Sequence, residues 1–125
     1  MSLTAILAED DPDIQLVARL ALKRAGFTVQ VVNNGQEALD AIRRQAPDVV
    51  LLDWMMPELD GPETCRQLKA DPATAGIPVV FLTAKSQEAE SQRGLSLGAA
   101  GYVTKPFDDL SLGQQVKDIV AATTP

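Results

Sequence analysis

The 125-residue chain contains no histidine, and that single absence removes several chemistries at once. A Ser-His-Asp triad cannot be assembled, nor can the His-containing zinc sites. Cysteine is nearly absent too. With only Cys65 present, an all-thiolate zinc site and a disulfide within the chain are both excluded. Cys65 falls in a helical pattern, where a packed, inert thiol is expected, and an unpaired cysteine suits a reducing compartment. Basic residues are outnumbered, 11 against 17 acidic, for a formal net charge of −6. That balance argues against a nucleic-acid surface, which needs clustered Lys and Arg. No apolar run approaches a membrane span, and the N-terminus lacks the charged and apolar regions of a secretory signal. A cytoplasmic location without membrane contact is the expectation.

What remains is ordinary globular composition, 46% hydrophobic and 22% charged, in a chain long enough for one core without staples. One domain is predicted over residues 4–122, with 123–125 as a tail or the start of a linker. The end "AATTP" after Val120 suggests fraying.

Strand-like runs occur at "TAILA" (4–8), "TVQVV" (28–32), "DVVLL" (48–52), "IPVVFL" (77–82) and "GYVT" (101–104). Helical patterns separate them. In the first, Ile14, Val17, Ala18, Ala21 and Ala25 share a face, and Gly26 supplies a stop. The second starts near Asn34, with Glu37 completing a capping box ahead of Ala38, Leu39 and Ile42. A third follows Gly61 and a weaker fourth follows Ser86. The fifth pairs Ser111 with Gln114 as a box and carries Leu112, Val116, Ile119 and Val120 on one stripe. Strict alternation of strand and helix predicts an α/β fold: a doubly wound, five-stranded parallel sheet covered on both faces. In such sheets the functional crevice lies beyond the carboxyl ends of the strands.

Asp53 ends the apolar run Val49–Leu52 at that edge. The other strands deliver Glu9, Asp10 and Asp11 after the first, Thr83 after the fourth and Lys105 after the fifth. Asp11 before Pro12 reads as a helix N-cap with proline at the first helical position, and Asp60-Gly61 reads as turn chemistry. The remaining carboxylates repel one another unless a cation is present. All-oxygen donors with open positions suit Mg²⁺, and a lysine beside them can neutralise an arriving anion. An aspartate, Mg²⁺, a hydroxyl and an ammonium are the parts needed to phosphorylate a carboxylate.

Four segments in this order, "AEDDP" (8–12), "LLDWMMPELDG" (51–61), "PVVFLTA" (78–84) and "GAAGYVTKPF" (98–107), resemble a response-regulator receiver domain, the phosphoacceptor module of two-component signalling. The likeness runs from about Ala5 to Val120. It implies strand order 2-1-3-4-5, the order known for chemotaxis members of that family, in a flavodoxin-like three-layer sandwich. Carried over residue by residue, it makes Asp53 the phosphoacceptor. Asp10, Asp53 and the Met55 backbone carbonyl become the ligands of Mg²⁺, or of Mn²⁺ in its place, with Glu9 joined through water. Lys105 and Thr83 become phosphate contacts, and Thr83 with Tyr102 the switch pair acting on the fourth helix, fifth strand and fifth helix. A cis Lys105–Pro106 bond is also implied. The donor would be a histidine kinase or a histidine phosphotransfer domain, and the chain a signalling switch rather than an enzyme.

Other readings fit less well. An FMN binder of the same architecture would carry a Ser/Thr/Gly-rich phosphate loop where this chain has "EDDPD". A phosphatase with an aspartate nucleophile after the first strand would need an Asp-x-Asp arrangement, which is not expected there. The alternative reading makes the chain the receiver part of a DNA-binding regulator or a hybrid kinase. Receivers fused to winged-helix domains usually carry an acidic pair before the switch aromatic and a charged fourth helix. Ala100, Gly101 and Ser96 occupy those places, which favours a stand-alone or relay receiver.

Overall fold

The middle of the sheet is β3 (Val49–Asp53), buried at all five positions. A parallel strand with helices over both faces has no solvent side, so its sequence reads as a continuous apolar run. In the computed structural model, which describes residues 3–84, 88–105, 107 and 111–123 without the side chains of 84 and 88–91, β1 (Leu3–Ala8) and β4 (Val79–Ala84) flank β3. β2 (Phe27–Val32) and β5 (Gly101–Lys105) form the edges, giving an all-parallel sheet of order β2-β1-β3-β4-β5. The register sets Ala8 beside Leu52, Asp53 beside Leu82 and Thr83 beside Thr104. Three strands therefore stop almost level, and the loops that follow them converge.

Side chains alternate across the strands and build two cores. On one face Leu7, Leu51 and Leu82 pack with Leu22 of α1 (Pro12–Arg24) and Val116 of α5 (Leu112–Thr123). On the other, Ile6, Leu52 and Phe81 pack with Leu39 of α2 (Gly35–Arg44) and with Cys65 and Leu68 of α3 (Gly61–Ala70). α4 (Glu88–Ser96) leads into Leu97 and Ala99, which join the second core. Burying each large β3 side chain contributes about 1.5–3 kcal/mol, which anchors the strand that carries Asp53. Cys65 is buried, its thiol pushed up by desolvation, and Sγ lies 3.8 Å from Leu97 O. It is packed in the core, as expected.

Several local expectations needed adjustment. α1 buries Ala18, Ala21 and Leu22, whereas Val17 is exposed. The stripe is one position round from the one read in sequence, because α1 turns toward α5 as well as toward the sheet. Asn34 caps α2 by accepting from Glu37 N at 2.8 Å, but Glu37 Oε1 accepts from Asn33 N at 2.9 Å, so the box closes one residue early. The box predicted for α5 does not form between its named partners: Gln114 Nε2 donates to Asp118 Oδ1, and Gln115 Nε2 donates to Ser111 Oγ. α5 continues to Thr123, past the Val120 where fraying was expected. The Lys105–Pro106 bond, Thr124 and Pro125 lie outside the described residues.

Candidate functional site

The site begins with what holds its backbone. Asp11 caps α1, its Oδ1 accepting from Asp13 N at 2.9 Å and Ile14 N at 3.4 Å, with Pro12 opening the helix. Contrary to expectation, Asp11-Pro12-Asp13 does spell Asp-x-Asp. Its first carboxylate is committed to capping three residues beyond β1, which leaves no strand-end nucleophile there. Gln15 Nε2 donates to Glu9 O and to Asn33 Oδ1, tying the loop after β1 to the loop after β2. Asp60 is more than turn chemistry, since it caps α3 by accepting from Glu63 N at 2.9 Å. Gly61 then lies against the acceptor strand: a Cβ there would stand 2.4 Å from Asp53 O. Only glycine lets α3 start so close to Asp53. Between them Glu58 takes φ +67°, a left-handed conformation that costs energy for a residue with a Cβ and that tends to occur near functional sites.

Carboxylate oxygens of Glu9, Asp10 and Asp53 all lie within 4.8 Å of one another. Glu9 is 1% exposed and Asp53 8%, whereas Asp10 faces solvent. Lys105 reaches across from β5 and donates to both buried acids, 3.0 Å to Glu9 Oε2 and 2.7 Å to Asp53 Oδ1. Burial pushes the Glu9 carboxyl up to about 7; the Asp11 amide lowers it, Asp53 raises it further and Lys105 pulls back. Burial also works against a charged Lys105, but its bonds to Asp53 and Glu9 and their negative charges outweigh that and raise its pKa. One ammonium therefore serves two carboxylates while a third stands open to water. The local charge is negative, and the donors are all hard oxygens. That set suits a divalent cation such as Mg²⁺ better than any soft metal.

The other predicted residues are near but differently disposed. Thr83 is the next-to-last residue of β4, follows Asp53's register partner Leu82, and is 1% exposed. Tyr102 is 42% exposed on the edge strand β5, beside Phe81 in the register. Met55 follows Asp53 by two residues with its side chain 73% exposed. Sequence reasoning overlooked three things: the Gln15 bridge, the close approach of Gly61, and the packing of Trp54. The glycine after a capping aspartate was a usable signal. The other two depend on contacts between distant segments.

A doubly wound sheet with a lysine-bridged acid cluster at the carboxyl ends of its strands defines the class: an α/β module whose charged groups gather in the crevice at one sheet edge. The comparison with known families makes the assignment specific: the chain matches the response regulator receiver domain over residues 5–117 and belongs to that family. It is 37% identical over 119 residues to the phosphate regulon transcriptional regulatory protein PhoB of Rhizobium meliloti (strain 1021), covering 95% of this chain and 52% of that protein. The chain spans about half the length of the curated relatives it matches. Among solved structures, the receiver domain of a signal transduction histidine kinase from Syntrophus aciditrophicus superposes with a TM-score of 0.86 at 33% identity, covering 97% of this chain and 92% of that one. The receiver domain of sensor histidine kinase PA1611 from Pseudomonas aeruginosa PAO1 superposes at 0.87 with 28% identity, covering 97% and 99%. That structure carries a magnesium ion coordinated in its active-site cleft. No helix among the described residues is long and apolar enough to cross a membrane.

Proposed function

We propose that this receiver domain accepts a phosphoryl group on Asp53 from the phosphohistidine of a histidine kinase or histidine phosphotransfer domain, in the cytoplasm. The observation that carries the reading is the shared ammonium of Lys105 between Glu9 and Asp53, with Asp10 in reach. Asp10, Asp53 and the Met55 carbonyl would hold Mg²⁺, or Mn²⁺, with Glu9 joined through water. The ion would supply positive charge for the phosphoryl oxygens and bring them in line with the acceptor. In the transfer a P–N bond breaks as a P–O bond forms at the Asp53 carboxylate. Lys105, already on Asp53 Oδ1, balances the charge that the phosphoryl group adds. Thr83 then turns its hydroxyl to a phosphate oxygen, and Tyr102 moves from its exposed position into the space vacated. The chain works as a switch, shifting an existing equilibrium at α4, β5 and α5.

The test is intact-mass measurement after incubation with Mg²⁺ and acetyl phosphate. Wild type should gain one phosphoryl group, and neither Asp53→Ala nor chelated protein should. Labelling that survives either change would overturn the assignment.

A second reading concerns context. The curated relatives are about twice as long, and both receiver structures above come from histidine kinases. These favour a receiver within a DNA-binding regulator or hybrid kinase. Ala100, Gly101 and Ser96 favour the stand-alone or relay role instead. The surrounding reading frame decides between them.

A further inference from the structure

Trp54 follows Asp53 directly, and its indole is only partly open to solvent. The ring leans on Phe81, with centroids 4.9 Å apart and planes tilted by 58°. Above it sits Arg93 of α4, its guanidinium carbon 6.0 Å from the indole centroid. Phe81 stands two residues before Thr83, so the two side chains share one face of β4. α4 rests on the same ring: a Cβ on Gly94 would come within 2.7 Å of Phe81 Cδ2. Trp54, Phe81, Gly94 and Arg93 thus form a continuous contact from the residue after Asp53 to α4. Among the described residues, the guanidinium forms no ion pair and lies over the indole. Beside the stack runs an open groove of about 390 Å³, walled in part by Met56, Arg66 and Leu97. It gives the indole somewhere to go.

We propose that Arg93 and Trp54 form a latch that holds α4 against the loop after Asp53, and that phosphorylation of Asp53 releases it. The proposal rests on Asp53 being the acceptor. The backbone route is short: Trp54 N donates to Leu82 O at 3.3 Å, one residue from Thr83. Movement of Thr83 toward a phosphate therefore reaches Leu82 and Phe81 together, and both touch Trp54. Cation–π contact at an exposed site shifts an equilibrium about two- to five-fold. That is enough to bias two seatings of α4 and weak enough to yield when the loop moves. Closed, the indole lies between Phe81 and Arg93. Open, it occupies the groove and α4 loses that anchor.

Trp54 is the only tryptophan in the chain, which makes the latch directly observable. Arg93 is exposed, so substitution there does not disturb the core. In Arg93→Gln without Mg²⁺, acrylamide should quench the indole more readily than in wild type, and Arg93→Lys should stay close to wild type because it keeps the cation. On titration with beryllofluoride and Mg²⁺, the fluorescence midpoint of Arg93→Gln should fall about two- to five-fold. Identical quenching, or identical midpoints, would overturn the latch. Intact mass with acetyl phosphate keeps the two readings apart. A wild type that takes up phosphate while Arg93→Gln matches it in both fluorescence assays loses only the latch. A wild type that takes up none loses the acceptor reading and, with it, the release step.

Discussion

Two aspartates five residues apart, Asp48 before β3 and Asp53 at its end, are treated in opposite ways. Asp48 is exposed, and its Oδ2 accepts from Thr4 N at 2.7 Å and from Thr4 Oγ1 at 3.1 Å. Its own amide donates back to Thr4. That end of the strand is closed by hydrogen bonds from the neutral backbone and hydroxyl donors of Thr4 to an exposed carboxylate, which water also solvates. At the other end Asp53 is buried and shares one ammonium with a second buried acid. The same side chain fastens two strands at the amino edge and is left short of positive charge at the carboxyl edge. Unbalanced charge is tolerated where a cation or anion is meant to arrive, because the rigid β3 between the two ends supports the cost.

The widest break in this comparison should come from Lys105→Ala. Without Mg²⁺ it leaves Glu9 and Asp53 facing each other uncompensated. Urea unfolding should show a loss of about 2–3 kcal/mol, less than the roughly 3–5 kcal/mol for breaking a fully buried pair because Lys105 is partly solvated. Added Mg²⁺ should restore part of it. Equal stability with and without Lys105 would mean that the carboxylates are not charged together.

A pH series comes next. Glu9 titrates near 4.5 in the unfolded chain and near 7 in the fold, so between those values the folded state binds the extra proton. Stability of the metal-free protein should therefore fall as pH rises from about 4.5 to 7 and then level, by about 1–3 kcal/mol from this group. Glu9→Gln should flatten that slope. A slope unchanged in Glu9→Gln would assign the effect to another group.

Smaller and opposite in sign are the two aspartate truncations. Asp53→Ala should stabilise the metal-free protein by about 1 kcal/mol by relieving repulsion, while Asp48→Ala should destabilise it by about 1 kcal/mol through lost hydrogen bonds. Matching signs would erase the distinction between the two ends of β3. The least change in stability is expected for the function of Thr83. Thr83→Ala should still accept phosphate, yet beryllofluoride-induced amide shifts should stay near the acids instead of spreading through residues 84–120. Equal spread in both proteins would place the coupling elsewhere.

Much of this was legible because strand and helix periods are local. The run Val49–Leu52, the caps at Asp11 and Asn34 and the alternation of elements each depend on residues a few positions apart. The alternation in turn puts Glu9, Asp10, Asp53, Thr83 and Lys105 at one edge of the sheet. Where reading failed, the deciding contact was between elements. Leu22 rather than Val17 is buried because α1 packs between the sheet and α5. Gln115 rather than Gln114 meets Ser111 because Gln114 turns along the helix to Asp118.

The sequence by itself determined which groups reach the carboxyl edge, since chain direction and strand order leave an α/β sheet no other place for them. Only the tertiary structure decided how those groups share charge. Lys105 lies 96 residues from Glu9 and 52 from Asp53 in the chain, and no local pattern encodes which acid receives its proton-rich end. The same holds for the indole of Trp54, whose place between Phe81 and Arg93 joins three segments. Side-chain electrostatics act through space over a few ångströms, so they become definite only when the sheet has brought its strand ends level.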